Sequence, residues 1–171
     1  MKHVCITFAG PIGSSKSPIA HHIGWNLGVP LFNTDILRTE TIEDRGAFDQ
    51  AYFEELRDKR LARLINSHQS FICDASMDRK WAEFKSILIK NNYRWFIISL
   101  DLSKDFLVHL YNTKGYYESL QQIDTNYEEH KAFLSEFGNE VNITITDQTF
   151  ESRLSIALDA VQEWLVTNQS I

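Results

Sequence analysis

The sequence predicts an α/β protein of three layers, in which helices cover both faces of a five-stranded parallel sheet. Two observations lead to this prediction. Short apolar segments typical of buried parallel strands alternate, along the 171 residues, with longer segments whose apolar residues recur at helical spacing. The helical segments are long enough for the right-handed crossovers that connect neighbouring parallel strands.

The composition is typical of one globular domain, which we expect to span residues 1–171. Hydrophobic residues make up 43% of the chain and charged residues 23%, which is enough apolar mass for a core. The net charge is −6 and no basic cluster occurs, so we expect no duplex nucleic acid as a partner.

The cysteines and the hydropathy of the chain indicate a cytoplasmic protein. Cys5 and Cys73 lie within apolar runs and are expected to be buried free thiols. No signal peptide and no apolar run of about 18 residues is present, so we expect no membrane partner.

The first predicted strand, residues 3–9, ends in a glycine-rich turn that contains a lysine and a serine, and a helix follows directly. In such a turn the backbone N–H groups can point at an anion, and the helix N-terminus adds partial positive charge. Lys16 can reach the outer phosphates of a nucleotide, and the Ser17 hydroxyl can bind Mg²⁺. The segment therefore predicts a phosphate-binding loop.

Residues 10–17, Gly-Pro-Ile-Gly-Ser-Ser-Lys-Ser, resemble the Walker A motif Gly-x4-Gly-Lys-Ser/Thr, with Ser15 in place of the second glycine. The chain thus resembles the P-loop kinases, in the branch of polynucleotide 5′-kinase-like, zeta-toxin-like and adenylate- or gluconate-kinase-like proteins. This resemblance implies the P-loop NTPase fold with strand order 2-3-1-4-5, and ATP and Mg²⁺ as cofactors. It implies these nucleotide-binding residues: Gly10, Ile12, Gly13, Ser14, Ser15, Lys16 and Ser17.

Residues 29–33 predict a short second strand, which Asp35 and Arg38 follow. A similar Asp-x-x-Arg follows the second strand of P-loop kinases, where the Asp faces the acceptor hydroxyl and the Arg holds an anionic group. The resemblance implies that Lys16 and Asp35 are catalytic, and that Asp35 and Arg38 bind the acceptor. From the residues alone, Asp35 could instead cap a helix and Arg38 could be solvated. We expect residues 39–50 to form a mobile loop or short helix over the acceptor site.

Residues 51–67 predict an amphipathic helix, and residues 70–74 predict a third strand that ends in Asp74. An acid at the carboxyl end of a strand lies on the ligand side of an open α/β sheet, although it could also cap the next helix. Asp74 resembles the Walker B-like acid, which implies that it binds Mg²⁺ together with Ser17 and lies beside the acceptor. Ala75 follows, where hydrolysing ATPases usually carry a glutamate, and this favours transfer over hydrolysis.

The remaining elements continue the same alternation. The spacing of apolar residues predicts helices over residues 79–91, 127–137 and 150–166, and strands over residues 94–100 and 141–146.

Residues 103–131 occupy the place of the lid in nucleotide- and sugar-kinase-like proteins, where one or more arginines are usual. No arginine occurs here between Arg94 and Arg153. Lys114 could substitute, an arginine from elsewhere could reach in, or catalysis could be weak. We expect Asp101 to cap the helix that follows the fourth strand.

Together these features predict an ATP- and Mg²⁺-dependent phosphotransferase. It would move the γ-phosphate to a hydroxyl of a small molecule, a nucleoside or nucleotide, or a polynucleotide 5′ end. The alternative is a nucleotide-binding module with weak or no catalysis. Ser15, the arginine-poor lid and Pro18, which lacks an amide for the α-phosphate, favour that alternative.

Overall fold

A computed structural model gives the structure of residues 3–168, which form a five-stranded sheet with helices on both faces. All four strand pairings are parallel, and the strand order is β2-β3-β1-β4-β5. The predicted fold class and strand order are therefore confirmed. The strands are β1 (His3–Ala9), β2 (Leu31–Asn33), β3 (Phe71–Ser76), β4 (Tyr93–Leu100) and β5 (Ile143–Ile145).

Eight α-helices connect or follow these strands within residues 3–168. They are α1 (Lys16–Leu27), α2 (Thr34–Arg45), α3 (Gln50–Asn66), α4 (Trp81–Lys90), α5 (Lys104–Lys114), α6 (Tyr117–Leu120), α7 (Ile123–Phe137) and α8 (Arg153–Asn168). Two 3₁₀ turns, Gly138–Glu140 and Asp147–Ser152, flank β5. Among the residues with described structure, no helix is both long and apolar enough to span a bilayer.

The core consists of two apolar clusters, one on each face of the sheet. Alternate residues of β1 point to opposite faces, so that Ile6 and Phe8 pack in one cluster and Cys5 in the other. Helices α1, α5 and α8 cover the first face, and α3, α4 and α7 cover the second. Cys5 and Cys73 are buried free thiols, as predicted, and burial raises the pKa of Cys73 to about 12.

The segment after β2 is more ordered than the sequence suggested. The side chain of Asn33 accepts hydrogen bonds from the backbone N–H groups of Asp35 and Ile36, so Asn33 and not Asp35 caps α2. Helix α2 continues through Arg45 and ends at Gly46, whose φ of 77° fits a left-handed helix terminus. The predicted loop or short helix over residues 39–50 is therefore wrong for residues 39–45, which complete a 12-residue helix.

The end of β4 also differs from the prediction. Ser103 caps α5 by accepting a hydrogen bond from the Phe106 N–H. Asp101 instead accepts a hydrogen bond from Lys131 Nζ at 2.6 Å. The predicted capping role of Asp101 is therefore wrong, and its carboxylate ties the end of β4 to α7.

Candidate active site

A cavity of about 740 Å³ opens at the carboxyl edge of β1, β2 and β3. Its volume lies within the range of roughly 300–1,000 Å³ that is typical of small-molecule sites. The loop between β1 and α1 and helices α3 and α4 contribute residues to its walls. Ligands of open α/β sheets bind at this edge, so the cavity is the candidate active site.

The loop at residues 10–15 depends on three residues with positive φ. Gly10, Gly13 and Ser15 have φ values of 146°, 74° and 84°. Ser15 takes a left-handed conformation that costs about 1–2 kcal/mol for a residue with a Cβ. Its side chain accepts a hydrogen bond from Arg153 Nε at 3.2 Å, which offsets part of this strain.

Lys16 folds back into the loop that precedes it. Its ammonium group donates to the carbonyl oxygens of Gly10 at 2.8 Å and Pro11 at 2.6 Å. Burial lowers its pKa to about 8, against the opposing charges of Asp78, Asp74 and Asp35. The loop therefore encloses a cation at the N-terminus of α1, where an anion is favoured.

Ser17 and Asp74, the predicted metal ligands, lie together beside this cation. The Ser17 hydroxyl donates to one carboxylate oxygen of Asp74 at 3.1 Å, and Asn33 Nδ2 donates to the other at 2.5 Å. Burial raises the pKa of Asp74, although both hydrogen bonds oppose that shift. A hydroxyl and a carboxylate oxygen are ligands that Mg²⁺ prefers, so this pair fits the predicted ion.

Of the two other residues predicted to bind the acceptor, Asp35 and Arg38, only Asp35 lies at the cavity. Arg38 instead places its guanidinium over the ring of Phe48, 3.9 Å from the ring centroid. Arg57 and Arg79 are the arginines that line the cavity. A contact between Arg38 and an acceptor would require the side chain to leave Phe48.

Comparison with known proteins identifies the fold. No protein-family model matches the sequence, and no curated protein does either. The chain is similar to the gluconokinase from Sinorhizobium meliloti 1021, with a TM-score of 0.66 and 17% identity over 98% of this chain and 97% of that one. Shikimate kinase from Aquifex aeolicus has a TM-score of 0.60 and 15% identity, over 95% and 98% of the two chains. The chain has the P-loop kinase fold.

A third relative of this fold was solved with ligands. The APS kinase from Mycobacterium tuberculosis, in complex with AMPPNP and APS, has a TM-score of 0.60 and 14% identity, over 94% of this chain and 98% of that one. Identities this low show the shared fold alone, and the roles of individual residues rest on their geometry.

Residues of α5 and the first residue of α8 contact the P-loop. Lys114 Nζ donates to the Gly13 carbonyl at 2.7 Å, and the Tyr111 hydroxyl donates to the Ile12 carbonyl. Arg153 reaches Ser15, as described above. Both replacements proposed from the sequence for a lid arginine, Lys114 and an arginine from elsewhere, therefore contact the loop.

The sequence analysis missed a buried chain of polar groups beneath the P-loop. The Gly10 N–H donates to the Asp78 carboxylate, with N···O distances of 3.0 and 3.2 Å. His130 Nδ1 lies 3.1 Å from Asp78 Oδ1, and His130 Nε2 lies 3.4 Å from Ser99 Oγ. His130 is 1% exposed and occupies the apolar face of α7. In the sequence, a histidine on the apolar face of a helix was the feature that could have indicated this buried polar network.

The close packing of the P-loop against α5 leads to a prediction for Gly13. An added Cβ at Gly13 would lie 2.6 Å from Cε1 of Tyr111, whose ring is fully buried. We expect Gly13→Ala to lower the free energy of unfolding by about 1–2 kcal/mol through backbone strain and by about 1–3 kcal/mol more through this clash. Urea denaturation measures the change.

Gly28→Ala is the matched control. Gly28 has a φ of 63°, and a Cβ there would meet nothing within 4 Å. This variant should carry the backbone strain without the clash. Equal losses in the two variants would contradict the packing of Tyr111 against the P-loop.

Proposed function

We propose that the chain is an ATP- and Mg²⁺-dependent phosphotransferase that transfers the γ-phosphate to a hydroxyl of an acceptor, within one domain spanning residues 1–171. The observation that carries the proposal is the convergence of Lys16, the Ser17–Asp74 pair and Asp35 on one cavity. The acceptor is a small molecule, a nucleoside or nucleotide, or a polynucleotide 5′ end. Kinases of a sugar acid and of APS among the structural relatives support this assignment at the level of fold.

The P-loop would bind the outer phosphates. Backbone N–H groups of Gly13, Ser14, Ser15, Lys16 and Ser17 would donate to phosphate oxygens, with Gly10 and Ile12 shaping the turn before them. The Lys16 ammonium would exchange the carbonyls of Gly10 and Pro11 for the β- and γ-phosphate oxygens. Ser17 and Asp74 would hold Mg²⁺, which neutralises phosphate charge when bound.

Asp35 would act on the acceptor. Within residues 3–168, the Asp35 carboxylate makes no hydrogen bond to the P-loop or to Asp74. It is therefore available to a ligand. The acceptor oxygen would form a bond to the γ-phosphorus while the bond from that phosphorus to the β–γ bridging oxygen breaks. The hydroxyl proton would pass to Asp35, and ADP would leave. Ala75 lines the cavity where a glutamate would activate water.

The alternative is a nucleotide-binding module without effective transfer. Two features favour this alternative. Ser15 has a strained backbone conformation and a side-chain hydrogen bond to Arg153. Pro18 lies in the first turn of α1 and has no N–H to donate. Binding of Mg-AMPPNP by the wild type, with no transfer to any acceptor in a broad screen, would favour this alternative.

Two variants separate binding from transfer. Lys16→Ala should weaken Mg-AMPPNP binding about ten- to hundredfold, because it removes charge-assisted hydrogen bonds to phosphate. Asp35→Asn should bind Mg-AMPPNP within about threefold of the wild type but transfer phosphate about 10²- to 10⁴-fold more slowly. Isothermal titration calorimetry and transfer of labelled γ-phosphate measure the two properties. Transfer at the wild-type rate by Asp35→Asn would exclude Asp35 as the base.

The lowered pKa of Lys16 predicts a pH dependence of nucleotide binding. The free protein holds Lys16 charged below its pKa of about 8, and phosphate binds the charged form better. Affinity for Mg-AMPPNP should therefore be full below pH 8 and fall by up to about tenfold per unit above it. The titration is measured from pH 7 to 9.5.

Two variants identify the group responsible. Lys16→Met should remove the decline. Burial also lowers the pKa of Lys114, so Lys114→Met is measured in parallel and should keep the decline. A wild-type affinity that stays constant up to pH 9.5 would contradict the assignment to Lys16.

A further inference from the structure

Apolar side chains from two helices line part of the cavity. Helix α3 contributes Phe53 and Leu61, and helix α4 contributes Phe84 and Ile87. Phe53, Leu61 and Ile87 are half-buried, so part of each side chain is exposed. The walls that an acceptor would meet therefore include aromatic and aliphatic side chains from both helices.

The arginines on this side already have acidic partners. Arg57 Nε lies 2.8 Å from Asp58 Oδ1, and Arg79 Nε lies 3.5 Å from Glu129 Oε2. Lys80 lines the cavity together with Glu83, one helical turn away on α4. Arg57 and Arg79 thus each have a carboxylate beside them, and Asp35 adds a further negative charge. Such a balance does not favour an anionic acceptor.

We propose that the acceptor is an uncharged hydroxyl compound with a flat, mostly apolar body of about nucleoside size, bound between α3 and α4 with its hydroxyl directed at Asp35. This inference rests on the proposed function and names the class of its second substrate. The aromatic rings of Phe53 and Phe84 suit a planar body, because offset or edge-to-face contacts between rings add to the gain from buried area.

Two other acceptor classes fit the walls less well. A sugar acid would have to compete with Asp58 and Glu129 for the two arginines that line the cavity. A polyol needs a hydrogen-bond partner for each hydroxyl that it buries, and an apolar wall leaves those hydroxyls without partners. A site of this kind discriminates against both.

Calorimetry with three probes tests the inference. Thymidine, gluconate and sorbitol represent an uncharged nucleoside, a sugar acid and an uncharged polyol. Each is titrated into the full-length protein saturated with Mg-AMPPNP, so that the probe cannot occupy the nucleotide position. We expect thymidine to bind at least tenfold more tightly than either other probe.

A matched pair of variants locates the binding. Ile87 and Ile89 lie on the same helix, but Ile87 lines the cavity and Ile89 is 56% exposed. Ile87→Thr should weaken thymidine binding about tenfold, because it replaces the ethyl group on Cβ with a hydroxyl at the apolar wall. Ile89→Thr should leave it unchanged. Leu61→Thr, on the opposite wall, provides a second variant should Ile87→Thr fold poorly.

The outcomes separate this inference from the proposed function. Three results would overturn the acceptor class: tighter binding of gluconate or sorbitol, no binding of thymidine, or thymidine binding that neither Ile87→Thr nor Leu61→Thr weakens. In each case, binding of Mg-AMPPNP would still support a nucleotide site. Failure of Mg-AMPPNP itself to bind would overturn the proposed function and this inference together.

Discussion

The Lys16 ammonium group, enclosed by the loop that precedes it, is the interaction on which the site depends. It donates to the carbonyls of Gly10 and Pro11 while Asp74, Asp78 and Asp35 supply compensating negative charge. Burial works against that charge and lowers its pKa to about 8. Because burial has already removed water from this cation, its interaction with a phosphate would not have to displace that water.

The surrounding layers fix the loop around this cation. On one side the Asp78 carboxylate holds the Gly10 N–H, and the Ser76 hydroxyl donates to the Gly10 carbonyl at 3.0 Å. His130 connects Asp78 to α7. On the other side Tyr111 and Lys114 of α5 and Arg153, the first residue of α8, contact the loop. The loop thus contacts α5 and α8 directly and is connected to α7 through Asp78.

The sequence was sufficient where the signal is local. The spacing of Gly10, Lys16 and Ser17 after an apolar strand predicted the loop, and the alternation of strands and helices predicted the parallel sheet, whose strand order followed from the resemblance to P-loop kinases. It was insufficient where position depends on distant contacts. Arg38 was expected beside Asp35, but the chain turns back at Gly46 and offers Phe48 to its guanidinium. Asp78 and His130 are 52 residues apart, and nothing in the local pattern of either joins them to Gly10.

A crystal structure with Mg-AMPPNP bound tests the central claim most directly. The account predicts β- and γ-phosphate oxygens at about 3 Å from the backbone nitrogens of residues 13–17 and from Lys16 Nζ, with Mg²⁺ beside Ser17 and Asp74. A nucleotide bound elsewhere on the protein, or a loop in which Lys16 keeps its bonds to Gly10 and Pro11 while the nucleotide is present, would contradict it.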